Sequence, residues 1–159
     1  GGFLGALDQG GATMSSEVTA LEIKADDTYE VVLDKILQGT NVSIEMPLAE
    51  MSDLHWKNLV GGGYGDTYTS GADELVGYGT SKLGQSAFQY TNKLVGHPVN
   101  KTFSEREEDI CMWSTVSELS SINFSGAEKQ VGEASFPALQ DSSKPAEIDL
   151  ACRGDHSLI

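Results

Sequence analysis

The residues most able to do chemistry are scattered along the chain. Gly61-Gly62-Gly63-Tyr64-Gly65 and Gly77-Tyr78-Gly79-Thr80-Ser81-Lys82 have the composition of a phosphate cradle. Such a cradle works by aiming backbone N–H groups at an anion from a glycine loop between a strand and a helix, with Gly-Lys-Ser/Thr completing the grip. The first tract instead follows a predicted helix, and no Gly-Lys-Ser/Thr follows either one. Both read as loops. His55, His97 and His156 each lack a second His or Cys at ligand spacing, Cys111 and Cys152 have no neighbouring ligand, and no EF-hand loop occurs. No Gly-x-Ser-x-Gly elbow is present, and nothing in sequence joins a serine to a histidine in a relay. The run Glu105-Arg106-Glu107-Glu108-Asp109 reads as a solvated loop rather than an acid–base pair. Arg153-Gly154-Asp155 matches a cell-adhesion tripeptide, a match short enough to arise by chance. The sequence therefore predicts no catalytic residue, no metal and no cofactor.

The elements that carry these residues are mostly strands. Residues 1–18 are rich in Gly, Ser and Ala and read as an extended arm, whose apolar Phe3, Leu4 and Leu7 need another surface to cover them. Residues 19–25 alternate as a half-wet strand, and Asp26-Asp27 marks a turn. Residues 31–37 form a β-branched run. Gln38-Gly39-Thr40-Asn41 is read as a hairpin turn with Gly39 at positive φ. The returning strand sets Val42, Ile44, Met46 and Leu48 on one face and Ser43, Glu45 and Pro47 on the other, with Pro47 placing its end at an edge or bulge. Ser52-Asp53 offers a cap for one short helix in which Leu54, Trp56, Leu59 and Val60 cover a core and Gly61-Gly62-Gly63 stops the helix.

Residues 61–85 read as a long glycine-rich loop with Tyr64, Tyr68 and Tyr78 interleaved, a length that points to a functional or mobile segment. Strands are predicted over residues 86–95, 110–116, 131–139 and 147–152, with Ile122 and Phe124 in a further apolar segment. Ile110, Trp113, Val116 and Leu119 also fit a helical spacing, and strand is preferred for its β-branched and aromatic content. Six to eight strands with short connections predict one mainly β domain over residues 19–159, an antiparallel β-sandwich or partly closed barrel with one short flanking helix.

Composition narrows the partners. The chain has 159 residues, with 10 Lys+Arg against 24 Asp+Glu and a formal net charge of −14. That length suits one domain with a real core. The charge excludes a non-specific DNA or RNA binder, which needs a basic face, and an anionic membrane surface as partner. No apolar run approaches the roughly 18–20 residues that span a bilayer, and the glycine-rich start does not read as a signal peptide. Two lone cysteines permit one disulfide but make no framework, and they read as reduced thiols.

Two segments together resemble the major tail tube proteins of long-tailed bacteriophages. The first is VVLDKILQGTNVSIEMPLAEMSDLHWKNLVGG at residues 31–62, a strand, turn, strand and short helix with aromatic and leucine anchors. The second is INFSGAEKQVGEASFPALQDSSKP at residues 122–145, a hairpin running into Phe136-Pro137-Ala138-Leu139-Gln140-Asp141. Gly1-Gly2-Phe3-Leu4-Gly5-Ala6-Leu7-Asp8 and Glu22-Ile23-Lys24-Ala25-Asp26 look like the family's N-terminal region. The resemblance implies a non-enzymatic virion subunit, assembled in the bacterial cytoplasm as hexameric rings that stack into a hollow tail tube. Strands join a ring-wide β-barrel around the lumen, with tail-tip and terminator proteins as further partners. DNA is in transit and not tightly bound. Ser43 and Glu45 are then the lumen-facing candidates. Phe3, Leu4, Leu7, Tyr64, Tyr68 and Tyr78 are the candidates for contacts between subunits. The acidity reads as a wall that repels phosphate within a Debye length of about 8–10 Å. A β-sandwich binding module, such as a capsid decoration or adhesion protein, is the alternative, and a hydrolase without a recognisable nucleophile constellation is the third reading.

Overall fold

The computed structural model describes residues 11–24, 32–48, 52–123 and 131–159. It is mainly β, with 51% of the described residues in strands and a principal sheet curled into an antiparallel half-barrel. The strands are β1 (Thr13–Lys24), β2 (Val32–Leu48), β3 (Asp66–Ser70), β4 (Asp73–Gly77), β5 (Asn92–Gly96), β6 (Ile110–Thr115), β7 (Glu118–Asn123), β8 (Val131–Leu139) and β9 (Ala151–Arg153), more than the sequence suggested. The helix α1 (Asp53–Trp56) runs directly into a π-turn over Lys57–Gly61. The main sheet has the order β1-β2-β8-β6-β5, with β7 also on β8 and β9 also on β6, while β3 and β4 form a separate hairpin. Strands β6 and β7 are nearly continuous, and both pair with β8, β7 along its first half and β6 at Ala138 and Leu139.

The core follows from the alternation in β2. Val42, Ile44, Met46 and Leu48 are buried and pack with Phe136, Ala134, Met112 and Leu59. Phe136 and Ala134 are the direct cross-strand partners of Ile44 and Met46, so the two strands present one apolar face. Pro47 pairs with Glu133 of β8, and β1 ends opposite Glu45. The missing N–H of Pro47 thus falls beyond the last β1 pair, as expected for proline in a strand.

Several elements differ from the sequence reading. The hairpin turn expected at residues 38–41 does not form. Strand β2 runs through it for 17 residues, because β1 supplies ladder partners on the other side: Thr19 faces Gly39, Val18 faces Thr40 and Glu17 faces Asn41. Gly39 is not among the positive-φ glycines. The register shift opposite Thr19 and Ala20 leaves Gln38 as an extra residue, a bulge in place of a turn. Residues 13–18, expected in the arm, belong to β1. The segment 61–85, expected as a loop, contains the β3–β4 hairpin, whose turn uses Gly71 at φ 65°. Of the strand expected over 86–95, Ala87–Tyr90 is a 3-10 turn and β5 begins at Asn92. The last strand is shorter than expected, with only Ala151–Arg153 paired to β6. Strand prevails over helix in the 110–116 segment.

The helix begins as its cap predicts, with Ser52 Oγ accepting from the His55 N–H at 3.3 Å. Leu59 and Val60 are buried by the π-turn, whereas Leu54 is 62% exposed and does not join the core as expected. Trp56 donates from Nε1 to the Val76 carbonyl at 2.7 Å, which docks the β3–β4 hairpin on the helix.

The glycine tract that ends this turn is there for close approach. A Cβ at Gly63 would overlap the Ser117 carbonyl, and one at Gly65 would overlap Val60. Gly63→Ala is expected to destabilise the fold by about 1–3 kcal/mol through overpacking. Gly77→Ala, where a Cβ meets nothing within 4 Å, should be close to neutral. Urea unfolding of the two variants measures the contrast.

Candidate functional site

The polar face of the main sheet is built by the same alternation that builds the core. Directly paired residues share a face. Glu45 pairs with Thr13 on one side and Ser135 on the other, and Ser135 pairs in turn with Glu118. One row therefore crosses β1, β2, β8 and β7 as Thr13, Glu45, Ser135, Glu118. The flanking rows are Ser15, Ser43, Pro137 and Pro47, Glu133, Ser121, with Glu17 opposite Asn41 further along. None of these residues is a cation. Glu45 and Glu118 stand two strand spacings apart, about 10 Å, close to a Debye length at physiological salt. A groove of about 550 Å³ runs here, lined by Thr13, Glu45, Pro47, Glu118, Glu133 and Ser135 among others.

The structure thus brings Ser43 and Glu45 onto one face and adds Glu118, Glu133 and Ser135, which sequence spacing could not connect. It gathers Tyr64 and Tyr78 beside Glu118. Burial, reinforced in each case by the nearby Glu118 carboxylate, raises both phenols above the ordinary tyrosine range, although a backbone hydrogen bond from Leu119 opposes the rise at Tyr78. Tyr78 also meets Trp56 edge-on, with ring centroids 6.4 Å apart. Tyr68 is elsewhere, exposed on β3 opposite the equally exposed Leu75. Phe3, Leu4 and Leu7 lie outside the described residues.

A second feature extends from this face. From Val32 to Asn41 the described side chains of β2 are all exposed, and this stretch pairs only with β1. At 3.4 Å per residue the two-stranded ribbon reaches roughly 30 Å from the body of the sheet. It is apolar on both faces. The bulge at Gln38 leaves Val18 and Ala20 on the core side with Leu37, while Leu21 lies on the opposite side with its partner Ile36. Leu37 is 73% exposed, Val18 54%, Leu21 51% and Ile36 49%. The Glu22–Lys35 ion pair at 2.8 Å spans the ribbon on its surface.

The other groups with chemical potential are engaged in structure. The N–H groups of Gly63 and Gly65 both donate to the Val60 carbonyl, at 3.2 and 2.8 Å. The carbonyls of the same two glycines accept from Lys82 Nζ, which also lies 4.3 Å from the Tyr90 ring centroid. The tract is a packed corner with its donors already used, not an anion cradle.

His97, Asp109 and His156, remote in sequence, converge. The Asp109 carboxylate is 2% exposed and meets His97 Nδ1 at 2.6 Å and His156 Nδ1 at 3.3 Å. The second contact lacks hydrogen-bond geometry, leaving His156 the weaker partner. His97 Nε2 faces the Lys101 carbonyl at 3.4 Å rather than a hydroxyl. The cluster ties the C-terminal segment to the start of β6, where the Asp109 carbonyl also accepts from Gly154 N–H at 2.8 Å. Among the described residues no group of three or more His, Cys, Asp or Glu is placed to hold a metal ion, and no helix is long and apolar enough to cross a membrane.

No family model and no curated protein matches this chain.

In Arg153-Gly154-Asp155 the carboxylate is also occupied. Asp155 Oδ1 accepts from Ser157 Oγ at 2.6 Å and from its N–H at 3.0 Å. These bonds, the hydroxyl first, hold the Asp155 carboxyl below the ordinary range. A carboxyl lowered by folding stabilises above its unfolded pKa and loses that contribution as pH falls through the folded value. Asp155→Ala should therefore lower the melting temperature at neutral pH, and the difference from the parent should close below about pH 4. Thermal melts across pH 2–7 check this.

Proposed function

We propose that the protein is a structural subunit that assembles with copies of itself into rings stacked as a hollow tube, the tail tube of a long-tailed bacteriophage, with its acidic sheet face turned to the lumen through which DNA passes. The observation that carries this reading is the apolar ribbon beside a polar sheet face whose described rows hold no cation. A lone subunit leaves Val18, Leu21, Ile36 and Leu37 in water, and about 25 cal/mol per Å² is gained by covering them. Among the described residues β1 is the end of the sheet and β2 is its one strand partner, so its outer edge offers backbone groups that pairing with a neighbour's strand would satisfy. The chemistry of both features is self-complementary, and strand addition with apolar anchoring is a known mode of protein association.

The acidic row then acts by repulsion. Glu45, Glu118, Glu133 and Glu17 meet DNA phosphates with like charge, while Ser43, Ser135 and Ser15 keep the wall wet. DNA slides along such a surface without forming ion pairs. The same charge opposes assembly, so contacts between subunits rest on the ribbon and the strand edge. Six subunits per ring, with tail-tip and terminator proteins at the tube's ends, complete the reading by family resemblance.

Concentrated protein in negative stain should show hollow tubes of regular ring spacing. A persistent monomer, with and without tail-tip components, would overturn the proposal. A small closed oligomer in light scattering would favour a binding module such as a capsid decoration or adhesion protein. Two variants test the parts separately. Leu21→Glu combined with Ile36→Glu alters exposed residues, so the monomer should fold normally while the concentration needed for assembly rises about tenfold or more, equivalent to 1.4 kcal/mol or more. Glu45→Lys should leave tubes intact and slow genome ejection. Unchanged ejection kinetics would remove Glu45 from the lumen.

A further inference from the structure

Cys111 and Cys152, which read in the sequence as reduced thiols that could make one disulfide, are direct cross-strand partners in the β6–β9 pair. Both are free thiols, Cys111 fully buried and Cys152 half-buried, and Cys152 is near enough to add to the upward push that burial gives the Cys111 thiol. Directly opposed residues in an antiparallel pair have Cα atoms about 4.5 or 5.5 Å apart, according to the pair type. Both spacings fall inside the range of roughly 4.4–6.8 Å that a disulfide needs. Strand β9 is only three residues long, and among the described residues its one strand partner is β6. The C-terminal segment is held there together with the Asp109 contacts, the Trp113 Nε1 bond to the Ile148 carbonyl at 2.8 Å, the bonds of Asp141 and Gln140 to Asp149, and the packing of Leu150 and Ala151 on the core.

We propose that Cys111 and Cys152 form a thiol–disulfide site, in which a low-molecular-weight disulfide converts the pair into an intrachain clasp between β6 and β9. Cys152, the more accessible, loses its proton to solvent and its thiolate attacks the oxidant. A bond forms between Cys152 Sγ and one oxidant sulfur, the oxidant's S–S bond breaks, and one thiolate leaves and takes up a proton. Cys111 then loses its proton and attacks Cys152 Sγ, releasing the second oxidant sulfur as a thiol. Two protein thiols are oxidised to one disulfide, and the oxidant is reduced to two thiols. Burial raises the Cys111 thiol to about 11, while Lys93 and Lys144 oppose that rise. This assigns Cys152 the first attack and Cys111 the resolving step. The clasp forms within one chain and does not require the subunit to assemble.

The test uses the full-length reduced protein and oxidised glutathione as the probe at mildly alkaline pH. Intact mass should fall by two hydrogens, and non-reducing peptide mapping should join the Cys111 and Cys152 peptides. The melting temperature should rise by on the order of 5–10 °C and return on reduction. Amide exchange in residues 151–156 should slow in the oxidised form. Cys152→Ser should lose the bridge and the thermal gain together. A glutathione adduct that persists on Cys152 without resolving, disulfide-linked dimers in place of the bridge, or thiols that react only after unfolding in urea would each overturn the proposal.

Discussion

Strand β2 must serve two environments with one backbone. Over residues 43–45 it lies between β1 and β8 and over 46–48 it pairs with β8 alone, and its alternating Val42, Ile44, Met46 and Leu48 are closed over by Phe136, Ala134, Met112 and Leu59. Over residues 32–41 it has β1 alone for a partner, and nothing among the described residues buries either face. A two-stranded ribbon is marginal in water without a surface to cover it. The body of the domain anchors one end of this ribbon, and the rest carries apolar side chains that no described residue buries. Both the core and the proposed assembly contacts depend on this one strand being longer than the body it belongs to.

The consequence for the rest of the molecule is a division of labour. The face of the sheet opposite the core is left to acids and hydroxyls, since Ser43 and Glu45 must point away from Ile44 and Met46. The core side is sealed by the glycine corner at Gly63 and Gly65, by Ser117 Oγ donating to the Leu59 carbonyl at 2.6 Å, and by Thr115 Oγ1 donating to the Pro137 carbonyl at 2.7 Å. Each of these bonds gives a backbone carbonyl beside the core a partner, as burial demands. Charge is kept to the surface except at Asp109, where two imidazoles flank the one buried carboxylate among the described residues.

Local pattern was a good guide wherever burial is one-sided. The period-2 run from Val42 to Leu48 identified the core face and its polar reverse, Val131–Leu139 was legible as a strand, and Ser52 was legible as a cap. Pattern failed where two local readings were equally cheap. Gln38-Gly39-Thr40-Asn41 has turn composition, yet a bulge accommodates the glycine and keeps the ladder when a partner strand is present. The interleaved glycines and tyrosines of 61–85 suggest a loop, yet Trp56 and Lys82 fasten the segment by contacts to carbonyls at Val76, Gly63 and Gly65 that no spacing reveals.

By itself the sequence determined the mainly β class, the inward face of β2, the net charge of −14 and the absence of any local motif for catalysis, because these depend on composition and on the two-residue period of a strand. Tertiary structure alone decided which residues became neighbours. It joined Glu118 and Glu133 to Glu45 across β8, closed His97 and His156 on Asp109, set Cys111 against Cys152, and exposed the ribbon that extends past the core. Strand register and order are long-range properties. They are settled by which apolar faces can be covered together, and adjacent residues carry no record of that choice.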